Sequence, residues 1–257
     1  MLCALLWDVD GTLAETERDG HRVAFNQAFA ALGLPWHWDV DRYGRLLRVT
    51  GGRERLLAAM REEGDAPALP GEREALARAL HQRKNHFYAQ SVQEGAIPLR
   101  PAVAALIDEA GARGMRQAIV TTTSRANVQA LLDHHLGPGW ESRFAAVVCG
   151  EDVDRKKPDP QAHQRALAAL RLAATETLAL EDSWAGAHAA QAAGVPVLVT
   201  RSAYFAADPI DAAVAIGPGL DTRAGWHPAP DARALDHITL DDLIAWHARM
   251  EFVSASG

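Results

Sequence analysis

Residues 4–13, Ala-Leu-Leu-Trp-Asp-Val-Asp-Gly-Thr-Leu, constrain the fold more than any other stretch of the chain. An apolar run ends in two aspartates, Asp8 and Asp10, and then in a glycine. Such a run is typical of a buried strand in a parallel sheet, and ligands bind beyond the carboxyl ends of these strands. Two carboxylates this close stay ionised only beside a cation, or else one keeps its proton. An ordinary Asp-Gly turn after a strand is equally compatible with this segment alone.

Further along the chain, short apolar runs alternate with helical patterns. Strands are predicted at 116–120, 145–149, 177–180, 195–200 and 212–216, and helices at 101–114, 126–136, 159–170, 185–193 and 240–250. This alternation is typical of right-handed crossovers in a parallel sheet. We therefore predict an α/β fold with a Rossmann-like parallel sheet.

Between residues 14 and 97 no strand-like run occurs, and helical patterns follow one another. These helices are predicted at 15–33, 39–48, 53–63 and 72–91. An uninterrupted helical block after the first strand indicates a subdomain inserted into the α/β core. The predicted division is a core of residues 1–14 and 98–257 and a helical insert of residues 15–97.

Composition and charge narrow the class of protein. The 257 residues are 48% hydrophobic and carry a net charge of −7, which is typical of a globular protein and argues against nucleic-acid binding. No apolar run is long enough for a membrane span and no basic leader precedes the first strand, so we expect a cytoplasmic protein, and a monomer. The only cysteines, Cys3 and Cys149, exclude a disulfide framework or a zinc cluster. A small anionic substrate remains compatible with the net charge, because it responds to local fields.

Lysine is rare in this chain. Of 26 basic residues only Lys84, Lys156 and Lys157 are lysines. Because arginine fills the ordinary surface positions, each lysine indicates a place that requires a compact ammonium group on a flexible stem. Lys157 belongs to a Lys-Lys-Pro-Asp-Pro loop ahead of a helix, where the prolines restrain it. Its ammonium group could neutralise a phosphate and a nucleophile, although a solvated basic turn has the same sequence.

Two further strand ends carry polar side chains. Thr121 and Thr122 end a strand before a helix, whose N-terminal N–H groups favour an anion, but a plain helix N-cap has the same pattern. Glu181 and Asp182 end an apolar strand, where adjacent acids are costly unless a cation binds them. Their hard oxygen atoms suit Mg²⁺, and the alternative is an aspartate N-cap on the following helix.

Together these pieces resemble the four motifs of the haloacid dehalogenase superfamily. D-x-D-G-T-L from Asp8, the strand-end threonine, K-P-D-P from Lys157 and E-D-S-x-A-G from Glu181 occur in the same order and strand context. The match covers roughly residues 4–200, which makes it far more specific than any single piece. The resemblance implies a superfamily core with a helical cap, which here is the helical insert.

The resemblance also implies roles for the motif residues of a phosphatase. Asp8 is the expected nucleophile, and Asp10 the expected general acid and base. Phosphate binding falls to Thr121, Thr122 and Lys157. An Mg²⁺ ion is expected to be held by Asp8, the backbone carbonyl of Asp10, Glu181 and Asp182. The carboxylate at position 10 argues against the dehalogenase branch, which lacks one there.

The helical insert resembles the cap of the branch that contains β-phosphoglucomutase and the CbbY-type sugar-phosphate phosphatases. Its expected substrate-binding residues are Glu17, His21, Tyr43, Arg48, Arg53 and Lys84. Tyr43 and Arg48 are equally compatible with an ordinary helix surface. Arg53 and Lys84 together indicate recognition of a second anionic group on the substrate.

The resemblance thus implies a phosphatase for a phosphosugar, with a pentulose bisphosphate such as xylulose 1,5-bisphosphate as the expected substrate. The alternative enzyme is a β-phosphoglucomutase-type mutase. His21 lies one residue further from Asp10 than in the mutases, which argues against its acting as a mutase-type acid or base. A regulator that binds a phosphosugar without reaction is a third class, and the intact Asp8 and Lys157 argue against it.

Overall fold

A six-stranded sheet forms the centre of the molecule. The structure is a computed structural model that describes residues 1–211, 213–231 and 235–254. The strands are β1 (Ala4–Trp7), β2 (Arg116–Val120), β3 (Ala146–Val148), β4 (Thr177–Glu181), β5 (Val197–Thr200) and β6 (Ala215–Gly217). They lie in the order β3-β2-β1-β4-β5-β6, and every neighbouring pair is parallel. The predicted α/β class with a Rossmann-like parallel sheet is confirmed.

The register of the sheet brings the polar strand ends to one edge. Trp7 lies opposite Ile119 of β2 and Leu180 of β4. The next residue, Asp8, is therefore level with the ends of both neighbouring strands. Since the carboxyl ends of parallel strands meet at the same edge, the residues after β1, β2 and β4 share one site.

Strands β5 and β6 are both shorter than predicted. β5 begins at Val197 rather than at residue 195, because Pro196 has no N–H to donate to the sheet. The last strand was predicted at 212–216 and lies at Ala215–Gly217, where it pairs with β5 from Leu198 onwards. Ala212, the predicted first residue, lies outside the described residues. The apolar composition of this run thus did not define which residues pair.

Helices cover both faces of the sheet. They are α5 (Val103–Ala112), α6 (Arg125–Leu136), α7 (Gln161–Leu170), α8 (Trp184–Ala192) and α9 (Leu240–Ser254), and α1 to α4 precede them in the helical insert. Leu5 and Trp7 point into the core cluster that includes residues of α5, α6 and α9. Leu6 points into the opposite cluster, with residues of α7 and α8, as the two-residue period of a strand requires. Within the described part of the chain, no helix combines the length and apolar character that a membrane crossing requires.

The helical insert contains α1 (Arg22–Ala31), α2 (Val40–Leu46), α3 (Gly52–Ala59) and α4 (Pro70–Gln93). Its own aromatic-rich core includes Phe25, Phe29, Trp38 and Tyr43. The helix predicted to begin at residue 15 starts instead with a π-helical turn, Glu17–His21. Helices of the insert and strands of the core thus occupy separate parts of the sequence, although the division at residues 14 and 97 stays a prediction.

The two chain segments that join the insert to the core run side by side. Ala14 and Leu99 form an isolated antiparallel bridge, and the backbone N–H of Arg100 donates to the carbonyl of Leu13 at 2.7 Å. This paired connection lies at the carboxyl edge of the sheet, beside the residues that follow β1. The insert therefore leaves and re-enters the core next to the predicted site.

Candidate active site

Three carboxylates converge at the carboxyl edge of the sheet. One oxygen atom each of Asp8, Glu181 and Asp182 lies within 4.8 Å of the others, and all three side chains are buried. Two glycines make this approach feasible. A Cβ at Gly11, where φ is +85°, would lie 1.9 Å from Oδ2 of Asp182, and one at Gly186 would lie 1.8 Å from Oε2 of Glu181. Glycine is therefore required at both positions.

Lys157 lies among these carboxylates. Its Nζ is 2.7 Å from Oδ1 of Asp8 and 2.7 Å from Oε1 of Glu181, and it donates to the carbonyl of Val120 at 2.8 Å. The loop ahead of α7 delivers it, as the sequence indicates. Lys157, Asp8, Glu181 and Asp182 are called the sheet-end cluster below. The prediction that Lys157 and Asp182 meet the tip of the first strand agrees with this geometry.

The sheet-end cluster is short of positive charge. Burial raises the pKa of Asp8 to about 8, against the opposing effect of Lys157. Burial and the neighbouring Asp8 carboxylate raise the pKa of Asp182, although Ser202 donates a hydrogen bond to its Oδ2 at 2.6 Å. Oε2 of Glu181 has no hydrogen-bond partner among the described residues. Three buried carboxylates with one ammonium group fit a divalent cation, and an all-oxygen donor set suits Mg²⁺.

Asp10 is held differently. Its Oδ1 accepts a hydrogen bond from the hydroxyl of Thr16 at 2.5 Å and lies 3.0 Å from Nε2 of His21. Burial opposes ionisation of Asp10, but His21 and Thr16 outweigh it and hold the pKa of Asp10 well below its usual range. Asp10 is thus kept as a carboxylate beside a histidine.

His21 contacts Asp10 although it lies one residue further along the chain than in the mutases. The sequence took this longer spacing as an argument against a mutase-type acid or base role for His21, and that role stays untested. A π-helical turn holds one more residue than an α-helical turn, so the turn at Glu17–His21 absorbs the insertion. His21 therefore reaches Asp10 despite the longer spacing.

The two predicted phosphate-binding threonines differ in position. Thr122 lines the cavity above the sheet-end cluster, together with Thr123 and Ser124. Thr121 is buried, is absent from the cavity wall, and accepts a hydrogen bond on its Oγ1 from the backbone N–H of Thr123. The residues that can donate hydrogen bonds into the cavity at the end of this strand are therefore the ones that follow Thr121.

A cavity of about 1130 Å³ separates the sheet-end cluster from the helical insert. The insert is held against the core at several points around it. The hydroxyl of Thr50 donates to the carbonyl of Lys157 at 2.6 Å, and Nζ of Lys156 lies 2.8 Å from Oε2 of Glu54. The amide of Asn85 donates to the hydroxyl of Ser124 at 3.2 Å. These contacts define a closed arrangement of insert and core.

The insert side of the cavity carries buried polar residues. The hydroxyl of Tyr43 donates to Glu17, and a guanidinium N–H of Arg55 donates to the same hydroxyl at 2.8 Å. Lys84 lies nearby with its Nζ 5.4 Å from the ring centre of Phe25, and burial lowers its pKa to about 8. Glu17, Arg55 and Lys84 line the cavity, and the predicted substrate-binding residue Tyr43 is buried behind them; these four residues are called the insert wall below.

The predicted residues Arg48 and Arg53 also line the cavity, but at its exposed margin. The side chain of Arg53 is 48% exposed and lies 3.7 Å from Glu54, which is a weak surface contact. Helix α3 directs Arg55 inward instead, because residues two apart on a helix point to opposite sides. The buried arginine of the insert wall is thus not one that the sequence singled out.

Sequence reasoning also missed other residues at or near the cavity. His81, Lys156 and Tyr204 line it, while Ser202 and Arg100 lie behind the sheet-end cluster. Lys156 did have a signal in the sequence, namely the rarity of lysine, and all three lysines of the chain line this cavity. The others had no signal, because their position depends on how α4 and the segments after β5 pack.

With this geometry established, comparisons identify the class of the protein. Residues 4–194 match the family model for haloacid dehalogenase-like hydrolases. The chain belongs to that family of hydrolases. It is 44% identical to protein CbbY of Cupriavidus necator over 95% of this chain and 96% of that protein. It is likewise 44% identical to protein CbbY of Rhodobacter capsulatus, over 87% and 96% of the two chains.

A crystal structure of CbbY from Rhodobacter sphaeroides, in complex with phosphate, matches at 41% identity and a TM-score of 0.77. The match covers 83% of this chain and 92% of that one. An aspartate-to-asparagine mutant of the same protein, in complex with xylulose 1,5-bisphosphate, matches at 40% identity with the same TM-score. The predicted superfamily and its CbbY branch are therefore confirmed.

Proposed function

We propose that this protein is a Mg²⁺-dependent phosphatase that hydrolyses a pentulose bisphosphate through an aspartyl-phosphate intermediate. The observation that carries the proposal is one cavity with two complementary walls. Buried carboxylates and Lys157 lie on one side, and the buried cations Arg55 and Lys84 lie on the other. A molecule with a reacting phosphate at one end and a second phosphate at the other complements both walls.

Asp8 is the proposed nucleophile. One of its carboxylate oxygens attacks phosphorus in line, forms the O–P bond of an aspartyl-phosphate and releases the substrate oxygen on the far side. Bound to Asp8, Glu181, Asp182 and the Asp10 carbonyl, Mg²⁺ would supply positive charge for the phosphoryl oxygens. Lys157 opposes the protonation of Asp8 that burial favours, since its ammonium group lies 2.7 Å from the carboxylate, and a cation bound beside Asp8 would act in the same direction.

Asp10 is the proposed general acid and base. It donates a proton to the leaving sugar oxygen, and then accepts one from the water that hydrolyses the intermediate. Its carboxylate is already ionised, which is the protonation state that the second role requires. For the first role it requires a proton, and His21 is the titratable side chain hydrogen-bonded to it. We propose that His21 supplies that proton through the 3.0 Å contact.

Phosphoryl oxygens are proposed to bind at the segment after β2. Thr122 and Ser124, the N-cap residue of α6, face the cavity and supply hydroxyl and backbone donors. Thr121 acts from below, because its hydroxyl orients the backbone of Thr123. Lys157 already donates to three oxygen atoms, so its contribution to phosphate binding is mainly its charge.

The second phosphate is proposed to bind at the insert wall. Lys84 has no carboxylate within hydrogen-bond distance among the described residues; its Nζ reaches the amide oxygen of Asn85 at 3.5 Å and two aromatic rings. A buried ammonium group with such partners favours an anion. The complex of a CbbY relative with xylulose 1,5-bisphosphate supports a substrate of this kind. Arg48 and Arg53, at the cavity margin, are proposed as secondary contacts.

One observation keeps a mutase as the second candidate. His21 contacts Asp10 despite the longer spacing, so a proton can pass between them in the manner a mutase needs. A mutase would return the phosphoryl group of Asp8 to a sugar instead of to water. Incubation with β-glucose 1-phosphate and a bisphosphate primer discriminates, since formation of glucose 6-phosphate without free phosphate identifies the mutase.

The proposal is tested by phosphate release across a panel of sugar mono- and bisphosphates, with and without EDTA. We expect preference for a pentulose bisphosphate and dependence on Mg²⁺. Asp8→Asn should reduce the rate by about 10⁴-fold or more, since it removes the nucleophile. Binding of phosphosugars without Mg²⁺-dependent phosphate release in the wild type would instead identify a non-catalytic regulator.

A further inference from the structure

Arg100, in the segment that returns from the helical insert to the core, binds an unusual set of oxygen atoms. Its guanidinium group donates to the carbonyls of Gly11, Thr200 (3.2 Å), Arg201 (2.8 Å) and Pro218 (2.7 Å), and to the hydroxyl of Thr200 at 3.3 Å. The acceptors come from three segments, which follow β1, β5 and β6. A single planar fork of five N–H groups thus joins three strand ends at the active-site edge.

Two of these segments lie against the same oxygen of Asp182. The backbone of Gly11 lies so close to Asp182 that a Cβ there would be 1.9 Å from Oδ2. Ser202, the residue after Arg201, donates a hydrogen bond to the same oxygen at 2.6 Å, and its Cβ would lie 3.1 Å from a Cβ at Gly11. Arg100 therefore holds the carbonyl of Gly11 and the carbonyl that precedes Ser202, so it restrains the two neighbouring residues that approach Oδ2 of Asp182.

Arg100 also belongs to the paired connection between insert and core. Its own N–H donates to the carbonyl of Leu13 at 2.7 Å, and its Nε lies 3.9 Å from Oε1 of Glu15. The other oxygen of Glu15 accepts a hydrogen bond from the N–H of Ala203 at 3.3 Å. Both connecting segments and the segment after β5 thus meet at this one side chain.

We propose that Arg100 is a positioning residue for the cation site. It fixes the carboxylate of Asp182 by holding Gly11 and Ser202 in place, without contact to substrate or metal. It also holds the insert's connecting segments against the same point. This inference rests on the proposed Mg²⁺ site and assigns a function to a residue outside the four motifs.

The test compares Arg100→Lys with wild type and with Arg116→Lys. Lysine keeps the charge but cannot span the acceptors of three segments. Arg116, at the opposite end of β2, donates to the carbonyl of Leu170 at 2.8 Å and serves as the matched control. Direct Mg²⁺ binding to EDTA-treated protein is measured by calorimetry, alongside melting temperature and hydrolysis of a bisphosphate.

We expect Arg100→Lys to weaken Mg²⁺ binding by about 10- to 100-fold, as is typical when support behind metal ligands is lost. The half-activating Mg²⁺ concentration should rise in parallel, while KM for the bisphosphate at saturating Mg²⁺ changes little. Arg116→Lys should leave Mg²⁺ affinity unchanged. A variant that melts earlier but binds Mg²⁺ with wild-type affinity would show that Arg100 is merely structural and would overturn the inference.

A second variant keeps the inference testable if Arg100→Lys does not fold. Ser202→Ala removes the hydrogen bond to Asp182 and leaves the arginine in place, so it should weaken Mg²⁺ binding in the same direction. Unchanged affinity in Ser202→Ala would contradict the proposed path from Arg100 to Asp182. If the wild type binds no Mg²⁺, both the proposed function and this inference fail. If the wild type binds Mg²⁺ and the variants bind it with the same affinity, only this inference fails.

Discussion

The sheet-end cluster and the insert wall face each other across one cavity, and they have opposite shortages of charge. The sheet-end cluster has three carboxylates and one ammonium group. The insert wall has a single carboxylate, Glu17, for its two cations, and Glu17 is taken by Tyr43 and Arg55. The first lacks a cation and the second lacks an anion. The pair therefore favours a ligand set of one divalent cation and one substrate with two anionic groups.

The largest expected effect lies in the sheet-end cluster. Lys157→Met should reduce hydrolysis by about 10³-fold for bisphosphates and small phosphoesters alike, because Asp8 and Glu181 lose their common positive partner. Lys156→Met is the matched control, since its side chain contacts Glu54 instead, and it should cost only a few-fold. Steady-state rates on both substrate types provide the measurement. Equal losses in the two variants would contradict the division of roles.

The insert wall should affect only substrates with a second phosphate. Lys84→Met should lower kcat/KM for a bisphosphate by about 10²-fold, the value of a charge-assisted contact, and leave a small phosphoester within about threefold. Exposed Arg83→Met, its sequence neighbour, should change neither. Arg53→Ala should show the same selectivity with a smaller loss, because Arg53 is half exposed. Equal loss on both substrates would show that these cations do not recognise a distal phosphate.

The same wall should be sensitive to pH. Burial lowers the pKa of Lys84 to about 8, with Arg55 lowering it further and Asp10 and Glu17 opposing. Lys84 is therefore charged below pH 8 and loses its charge above it, so KM for the bisphosphate should rise as pH increases through that value. His81 and Tyr88 also lie near Lys84, and burial lowers the pKa of His81 to about 4 and raises that of Tyr88, so neither titrates there. Lys84→Arg should remove this dependence on pH; its persistence would assign the effect to another group.

The smallest effect concerns an ion pair between the helical insert and the core. Glu54 and Lys156 form a partly exposed ion pair, worth roughly 0.2–1 kcal/mol. Glu54→Lys and Lys156→Glu should each reduce turnover of the bisphosphate by about 2- to 5-fold. The double exchange should restore most of the rate, because the opposite charges face each other again. Additive losses in the double variant would show that the pair does not hold the insert in place.

The sheet-end cluster could be predicted from the sequence almost completely. Asp8, Glu181 and Asp182 come directly at the ends of apolar strands, and the edge at which parallel strands end is fixed by the fold. Lys157 lies in the short loop ahead of α7, which prolines restrain. Local patterns of a few residues thus determine where these side chains meet.

The insert wall could be predicted only in part. Tyr43 and Lys84 were singled out, but Arg55 was not, because the rotational phase of the short helix α3 decides which of its arginines points inward. Arg100 gave no signal, since its hydrogen bond to Gly11 joins residues 89 apart in the chain. Ser202 gave none either, since its hydrogen bond to Asp182 depends on how the segment after β5 packs. The π-helical turn that brings His21 to Asp10 was likewise hidden, because its sequence resembles an ordinary helix start.

Every lysine of this chain lines one cavity, and the outer surface takes its positive charge from arginine. Reagents that acylate primary amines normally modify many surface sites on a protein. Here the lysine side chains are confined to a single chamber, so the extent of lysine labelling, counted apart from the terminal amine, reports whether that chamber is accessible. A sugar bisphosphate that fills it should protect the lysine amines from labelling.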